Sequence, residues 1–174
     1  MRYVGAIDQG TTSSRFVIVD EAGSFVAMAQ MEHQQVLPRP GWVEHRPAEI
    51  WANTQHVIGE ALENAGLRPS DLAGVGITNQ RETAVLWDRA TGEPVANAIV
   101  WQDTRTAAIA KQLGSTFGVD AFRRRTGLPP STYFSGPKVR WLLDERPDLA
   151  SRARNGDLAF GTIDAWLAFN LTGE

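Results

Sequence analysis

A chain of 174 residues, 43% hydrophobic and 21% charged, is long enough for one domain with a real core and has the balance of an ordinary soluble globular protein. Seventeen basic against twenty acidic residues leave a net charge of −3 with no basic run, so nothing draws the chain to nucleic acid or anionic lipid, and small anions must be held locally. The absence of cysteine excludes disulfides and thiolate chemistry, no apolar stretch approaches the ~18 residues of a membrane span, and Met1-Arg2-Tyr3 leads into a strand rather than a signal peptide, which reads as cytoplasmic.

The apolar run from Tyr3 ends in Asp8. Gly10 then allows a tight reversal, and hydroxyl residues fill the bend before Phe16-Val-Ile-Val19 resumes. This predicts a hairpin with a polar tip. Taken alone, Gly-Thr-Thr is an ordinary turn. Joined to Asp8, it is also a device that surrounds a phosphate with backbone N–H groups and hydroxyls while the acid organises a hydrated cation. The string Asp8-Gln-Gly10-Thr11-Thr12-Ser13-Ser14-Arg15 resembles the first phosphate-binding hairpin of the FGGY family of carbohydrate kinases. That resemblance implies an α/β fold of the actin-like, ribonuclease-H-like ATPase class, a mixed sheet with flanking helices. It also implies ATP and Mg2+ as cofactors, with Thr11, Thr12, Ser13 and Arg15 on phosphates and Asp8 on Mg2+, directly or through water. Neither commoner phosphate loop is present: no Gly-x4-Gly-Lys-Ser/Thr occurs, and Gly74-Val-Gly76-Ile-Thr-Asn79 has Asn where a dinucleotide fingerprint needs Gly.

Asp20-Glu-Ala-Gly23 is a turn and Ser24 to Gln30 a third strand, giving a three-stranded meander. Residues 31 to 46, with Pro38, Pro40 and Gly41, read as a loop of about fifteen residues anchored by Trp42. Pro47 suits the first helical position, and Ile50, Thr54, Val57, Ala61, Leu62 and Ala65 keep the helical spacing until Gly66. Arg46 is a poor N-cap, so the start should be weak. His33, His45 and His56 lie too far apart for a local metal motif and read as surface or structural residues.

Leu72 to Thr78 and Thr83 to Trp87 read as strands with Asn79-Gln80-Arg81-Glu82 between them. Adjacent strand residues face opposite sides, so Arg81 and Glu82 serve one ligand only if the backbone turns there; otherwise they are a solvated pair. Asn79-Gln-Arg-Glu-Thr83 resembles the polyol-binding turn of the family's glycerol-phosphorylating members. Asp88 to Pro94 is a hairpin turn, and Ala98-Ile-Val-Trp-Gln-Asp103 reads as a strand ending in polar residues. Trp101 is either a core residue or, as the resemblance implies, an apolar wall of the substrate pocket. Asp103-Thr104-Arg105 departs from the two consecutive arginines expected in much of the family, which puts a local ion pair in doubt. Thr106 to Phe117 and Val119 to Thr126 read as helices split by Gly118 and ended by Gly127-Leu-Pro-Pro130, followed by a loop to Lys138 and a helix from Val139. Tyr133 packs in the core or, as Thr-Tyr-Phe-Ser-Gly implies by resemblance, hydrogen-bonds substrate. A helix to about Ala153, a strand at 157–160 and a helix at 162–171 complete the scaffold, with Asp164 and Trp166 structural; the Asn170 sequon reads as chance.

The resemblance covers the whole chain but only about the first third of the family architecture, so an N-terminal part of the first actin-like half is expected, without the catalytic Asp and without the adenosine-binding half. It implies ATP-dependent phosphorylation of glycerol, releasing ADP, by a full-length enzyme, with this stretch inactive alone. A pentulose kinase of the same family, or a non-catalytic actin-like module that binds nucleotide to control assembly, stays open. So does a homo-oligomer of the full-length enzyme.

Overall fold

The computed structural model describes residues 2–173. Its backbone divides into two compact units. One comprises Met1–Gln35, Arg46–Gln80 and Ile163–Glu174, the other Val36–His45 and Arg81–Thr162.

The first unit is built on the meander. Strands β1 (Tyr3–Gln9), β2 (Ser13–Asp20) and β3 (Phe25–Glu32) pair antiparallel, and β5 (Leu72–Asn79) adds to β1 in parallel, giving the order β3-β2-β1-β5. The period-2 alternation sends Ile7, Phe16 and Ile18 inward. Phe16 lies over Gly5, where any Cβ meets its ring Cζ at 2.3 Å, so that glycine is required by close approach. Helix α1 (Pro47–Ala65) packs on β2 and β3 and buries Ile50, Val57, Ala61 and Leu62. Its ends follow local rules. Arg46 provides no side-chain cap, as its residue type predicts, and Gly66 takes the left-handed conformation at φ 64°, its N–H closing on the Glu63 and Leu62 carbonyls. Helix α6 (Ile163–Thr172) packs on β5 through buried Ile163, Trp166 and Leu167.

The second unit has an antiparallel sheet in the order β4-β7-β6-β8, from β4 (Glu44–His45), β7 (Ala98–Ile99), β6 (Ala84–Asp88) and β8 (Leu158–Thr162). Its core gathers Leu86, Ile99 and Leu142 under Val95, Val139 and Leu158. Helices α2 (Ala107–Phe117) and α3 (Val119–Thr126) meet at Gly118 as expected, followed by α4 (Ser135–Glu145) and α5 (Pro147–Asn155).

Four boundaries differ from expectation. The strand expected over 98–103 is only two residues long: the Val100 N–H still reaches the Val43 carbonyl in the β4–β7 register, but the Asp103 N–H then turns back onto the Val100 carbonyl at 3.0 Å. The loop expected over 31–46 is shorter, since β3 runs to Glu32 and Val36 bridges Glu44. Helix α4 starts at Ser135 instead of Val139, and the helix expected to Ala153 breaks at Arg146, before Pro147.

Candidate functional site

The hairpin residues belong to the first unit. The bend is shorter than the run of hydroxyls suggests. Gly10, Thr11 and Thr12 form it, with the Gly10 N–H donating to the Ser13 carbonyl at 2.8 Å, whereas Ser13, Ser14 and Arg15 already lie in β2. Ser14 is fully buried with its Oγ unpartnered among the described residues, and the Ser13 Oγ accepts from Gln30 Nε2 at 2.9 Å, so two of the expected hydroxyls do not lie at the tip. The tip itself is organised by its carbonyls. That of Gly10 accepts from Gln9 Nε2 (2.8 Å) and Gln80 Nε2 (3.2 Å), that of Thr11 from Gln35 Nε2 (3.0 Å), and that of Thr12 from the His33 N–H (3.1 Å). Three successive carbonyls of the tip are thereby fixed by protein donors. Burial pushes the His33 imidazole below its usual value, against smaller upward pulls from the Thr11 backbone and Glu49, and so disfavours a charge there.

Asp8 and Arg15 face each other directly across the hairpin, Arg15 Nη1 donating to Asp8 Oδ2 at 3.2 Å, with 45% and 38% of their side chains exposed. So open a pair contributes little, and either group can take a new partner. Asp8 is a single half-exposed carboxylate, and no cluster of three or more His, Cys, Asp or Glu forms among the described residues. This donor set fits a cation that keeps most of its waters, as Mg2+ does, and does not fit an all-protein cage.

Arg81, Glu82, Trp101 and Tyr133 belong to the second unit. Glu82 is the only non-glycine residue at positive φ, 69°, among the described residues. This kink releases Arg81 and Glu82 from strand alternation, at a cost of about 1–3 kcal/mol that the surroundings must offset. Ser135 supplies the offset. Its N–H donates to Glu82 Oε2 at 2.9 Å, and its Oγ lies 2.8 Å from the same oxygen and 3.2 Å from the Glu82 carbonyl. Ser135 opens α4, so Glu82 caps that helix from a distant segment, which explains why α4 begins four residues early. Arg81 is exposed and has no side-chain partner among the described residues.

Trp101 and Tyr133 come together, ring centroids 5.7 Å apart at 58°, and Phe134 meets Tyr133 edge-on at 5.3 Å. Tyr133 is 37% exposed and Trp101 half-buried, so neither is the core residue that the plainer reading allowed. The ion pair placed in doubt is present. Arg105 grips fully buried Asp103 with Nε at 3.0 Å and Nη2 at 2.8 Å, reaches Glu44 at 2.8 Å, and lies over the rings of Trp42 (3.8 Å) and Trp141 (4.8 Å), which themselves meet edge-on at 5.2 Å. Asp103 Oδ2 also accepts the Val43 N–H at 2.7 Å.

Three positions escaped sequence reasoning. Gln9 and Gln80, both buried, join their amides at 3.0 Å beneath the hairpin tip; the inward parity of Gln9 after Ile7 was the available signal. Lys138 is fully buried, its Nζ donating to the Thr132, Tyr133 and Phe134 carbonyls at 2.6, 2.7 and 3.2 Å. Burial pushes its ammonium down to about 8, opposed by the charges of Asp103 and Glu82. Nothing local marks that lysine.

An antiparallel hairpin with a hydroxyl tip, extended by a parallel strand and flanked by helices, defines an actin-like, ribonuclease-H-like ATPase fold. The chain belongs to the FGGY family of carbohydrate kinases: the model of that family's N-terminal domain matches residues 3–174. It is 61% identical over 172 residues to Glycerol kinase 2 of Streptomyces avermitilis, covering 99% of this chain and 34% of that one. Among solved structures, the glycerol kinase of Plasmodium falciparum with ADP superposes at a TM-score of 0.92 with 35% identity, over 99% of this chain and 35% of that one. The xylulose kinase of Rhodospirillum rubrum gives 0.87 and 29%, over 99% and 34%. The chain thus spans about a third of the length of the relatives it matches.

Proposed function

We propose that this chain is the N-terminal part of the first actin-like half of a kinase that transfers the γ-phosphoryl group of ATP to a terminal hydroxyl of glycerol. The observation that carries this reading is the arrangement in the second unit: an Arg81 guanidinium with no partner among the described residues, beside Glu82 on a kinked backbone, with a Trp101–Tyr133 aromatic pair half open to solvent. A polyol offers hydroxyls to charged donors and acceptors and a carbon chain to a flat apolar face, and this set supplies both. The 61% identity to a protein named Glycerol kinase 2 supports glycerol over a pentulose as the acceptor.

In the reaction the terminal oxygen of glycerol forms a bond to the γ-phosphorus, the bond from that phosphorus to the bridging oxygen breaks, ADP leaves, and the hydroxyl proton passes to a base. Such transfer depends on positioning and charge stabilisation. Thr11, Thr12, Ser13 and Arg15 hold phosphates, the first two at the tip and Ser13 through its backbone. Arg81 donates to one hydroxyl, Glu82 accepts from its neighbour, Trp101 walls the carbon chain and Tyr133 adds a hydrogen bond. Asp8 would hold Mg2+, directly or through water, and the ion when bound would neutralise phosphate charge. The base and the adenosine-binding half lie in the remaining two thirds of the family length. The test is ADP release by the chain extended to that length, with ATP and Mg2+, over glycerol, xylulose and gluconate. The expected kcat/KM for glycerol is at least about a hundred-fold above the others, the discrimination that unpaired polar groups impose. Preference for xylulose overturns glycerol as the acceptor, and nucleotide-dependent assembly without acceptor-dependent ADP release overturns the kinase reading.

A further inference from the structure

Lys138 has no part in the chemistry above, yet it is buried completely and its three protons meet three consecutive backbone carbonyls, those of Thr132, Tyr133 and Phe134. An ammonium has three donors and no acceptor, so this arrangement uses its whole hydrogen-bonding capacity. With the carbonyls of this short segment drawn onto one buried point, the conformations open to the Tyr133 backbone are few. Its ring is set against Trp101 on one side and Phe134 on the other. Two further bonds of residues 131–134 are local, the Tyr133 N–H to Ser131 Oγ at 3.2 Å and the Phe134 N–H to the Ser131 carbonyl at 3.4 Å, with the next anchor at Ser135 on Glu82. The charges that act on the ammonium from neighbouring segments are Glu82, on the kinked turn, and Asp103, two residues past Trp101 and gripped by Arg105. One buried cation therefore holds the segment that presents Tyr133, within the field of the Glu82 and Asp103 carboxylates.

We infer that Lys138 is the positioning residue for the acceptor platform, acting on glycerol affinity through Tyr133 without touching substrate. The inference rests on the proposed acceptor site, and the experiment separates the two. Lys138→Gln keeps two donors and loses the charge; Lys138→Met keeps neither. In the family-length chain with ATP saturating, both variants should raise the KM for glycerol, Gln about ten-fold and Met more, as expected for disrupted charged hydrogen bonds. The kcat and the KM for ATP should stay within about two-fold. In a Tyr133→Ala background the same substitutions should add nothing to KM, because the effect passes through that side chain. If the Met variant does not fold, the Gln variant alone carries the test. A second readout needs no activity: with 3-fluorotyrosine incorporated, the Tyr133 resonance, assigned by its loss in Tyr133→Phe, should move toward the free value in Lys138→Gln. A folded Gln variant with unchanged glycerol KM and unmoved resonance overturns the positioning role, as does full additivity with Tyr133→Ala. Should the parent use another polyol, the KM of that acceptor is read instead. Should it use none, the acceptor-site reading fails and the fluorine shift alone decides whether Lys138 orders Tyr133.

Discussion

Arg81 and Glu82 are neighbours in sequence that answer to different constraints, and this separates their substitutions. Arg81 is exposed and has no side-chain partner among the described residues, so Arg81→Ala in the family-length chain should leave the unfolding midpoint unchanged while lowering kcat/KM for glycerol about ten- to a hundred-fold, the value of a charged hydrogen bond. Glu82 accepts from the Ser135 N–H, so Glu82→Ala should lose the acceptor contact and also about 1 kcal/mol of stability as α4 loses its cap. Urea denaturation and steady-state kinetics on the same samples check both, and an unchanged glycerol kcat/KM for Arg81→Ala makes that residue a solvated charge. Lys138 supplies a pH dependence. Its value falls from 10.5 to about 8 on burial, with Glu82 and Asp103 opposing the fall, so between these pH values the unfolded chain binds more protons than the folded one. Stability contributed by this site therefore rises as pH increases from about 8 to about 10.5. The difference in urea midpoint between parent and Lys138→Met, measured from pH 7.5 to 10.5, should widen in favour of the parent. A flat difference means that the buried ammonium is not desolvated as its surroundings require.

At the scale of elements, the best-read boundaries were those decided by local chemistry. Gly66 stops α1, Gly118 separates α2 from α3, and Pro47 opens α1, because each acts through its own φ or missing N–H. The start of α4 was misread because it depends on a contact 53 residues distant, Glu82 on Ser135, and the end of β7 because the chain turns where the Asp103 N–H meets the Val100 carbonyl, a turn whose Asp103 carboxylate takes the Val43 N–H from 60 residues away. The site divides the same way. Asp8, Thr11, Thr12, Arg81 and Glu82 stand out as polar residues interrupting apolar runs, whereas Lys138 and Gln80 lie in polar surroundings and gain meaning only when folding buries them. Arg105 shows what such distant contacts are worth. It neutralises Asp103 and pairs with Glu44 while its guanidinium lies over two tryptophan rings, tying the segment after β7 to β4 and to α4. Arg105→Met keeps much of the aliphatic packing but leaves the Asp103 charge buried without its cation, so a loss of about 3–5 kcal/mol in urea unfolding is expected. The double variant Arg105→Met with Asp103→Asn should recover part of that loss, and a single variant costing under about 1 kcal/mol shows that the buried pair is easily relaxed.

At the scale of the whole molecule, the chain carries two four-stranded sheets in two units, and neither composition nor a linker marks where the backbone passes between them, at Gln35–Val36, His45–Arg46, Gln80–Arg81 and Thr162–Ile163. Among the described residues, β3 and β5 each have a strand partner on one side only. On β3, Phe25 is 77% and Met28 53% exposed; on β5, Val75 is 48% exposed at the rim of an apolar groove with Leu72, Ile77 and Leu171. Long apolar edges pair with other copies, so the 174-residue chain by itself should self-associate as concentration rises. It should also release no ADP in a glycerol-dependent manner. The second unit holds no free carboxylate at the acceptor platform, since Glu82 is engaged by Ser135 and Asp103 by Arg105, and a missing general base alone removes a factor of about 10^2 to 10^4. The measurement combines ADP formation, with ATP, Mg2+ and glycerol present, and mass in solution by light scattering over a concentration series. Val75→Lys places a charge on the β5 edge and should shift the chain toward monomer without restoring turnover. Glycerol-dependent ADP release by a monomer of the unmodified chain contradicts the assignment of the base to the remaining segments, and a chain monomeric at all concentrations shows that these edges are protected by means other than pairing.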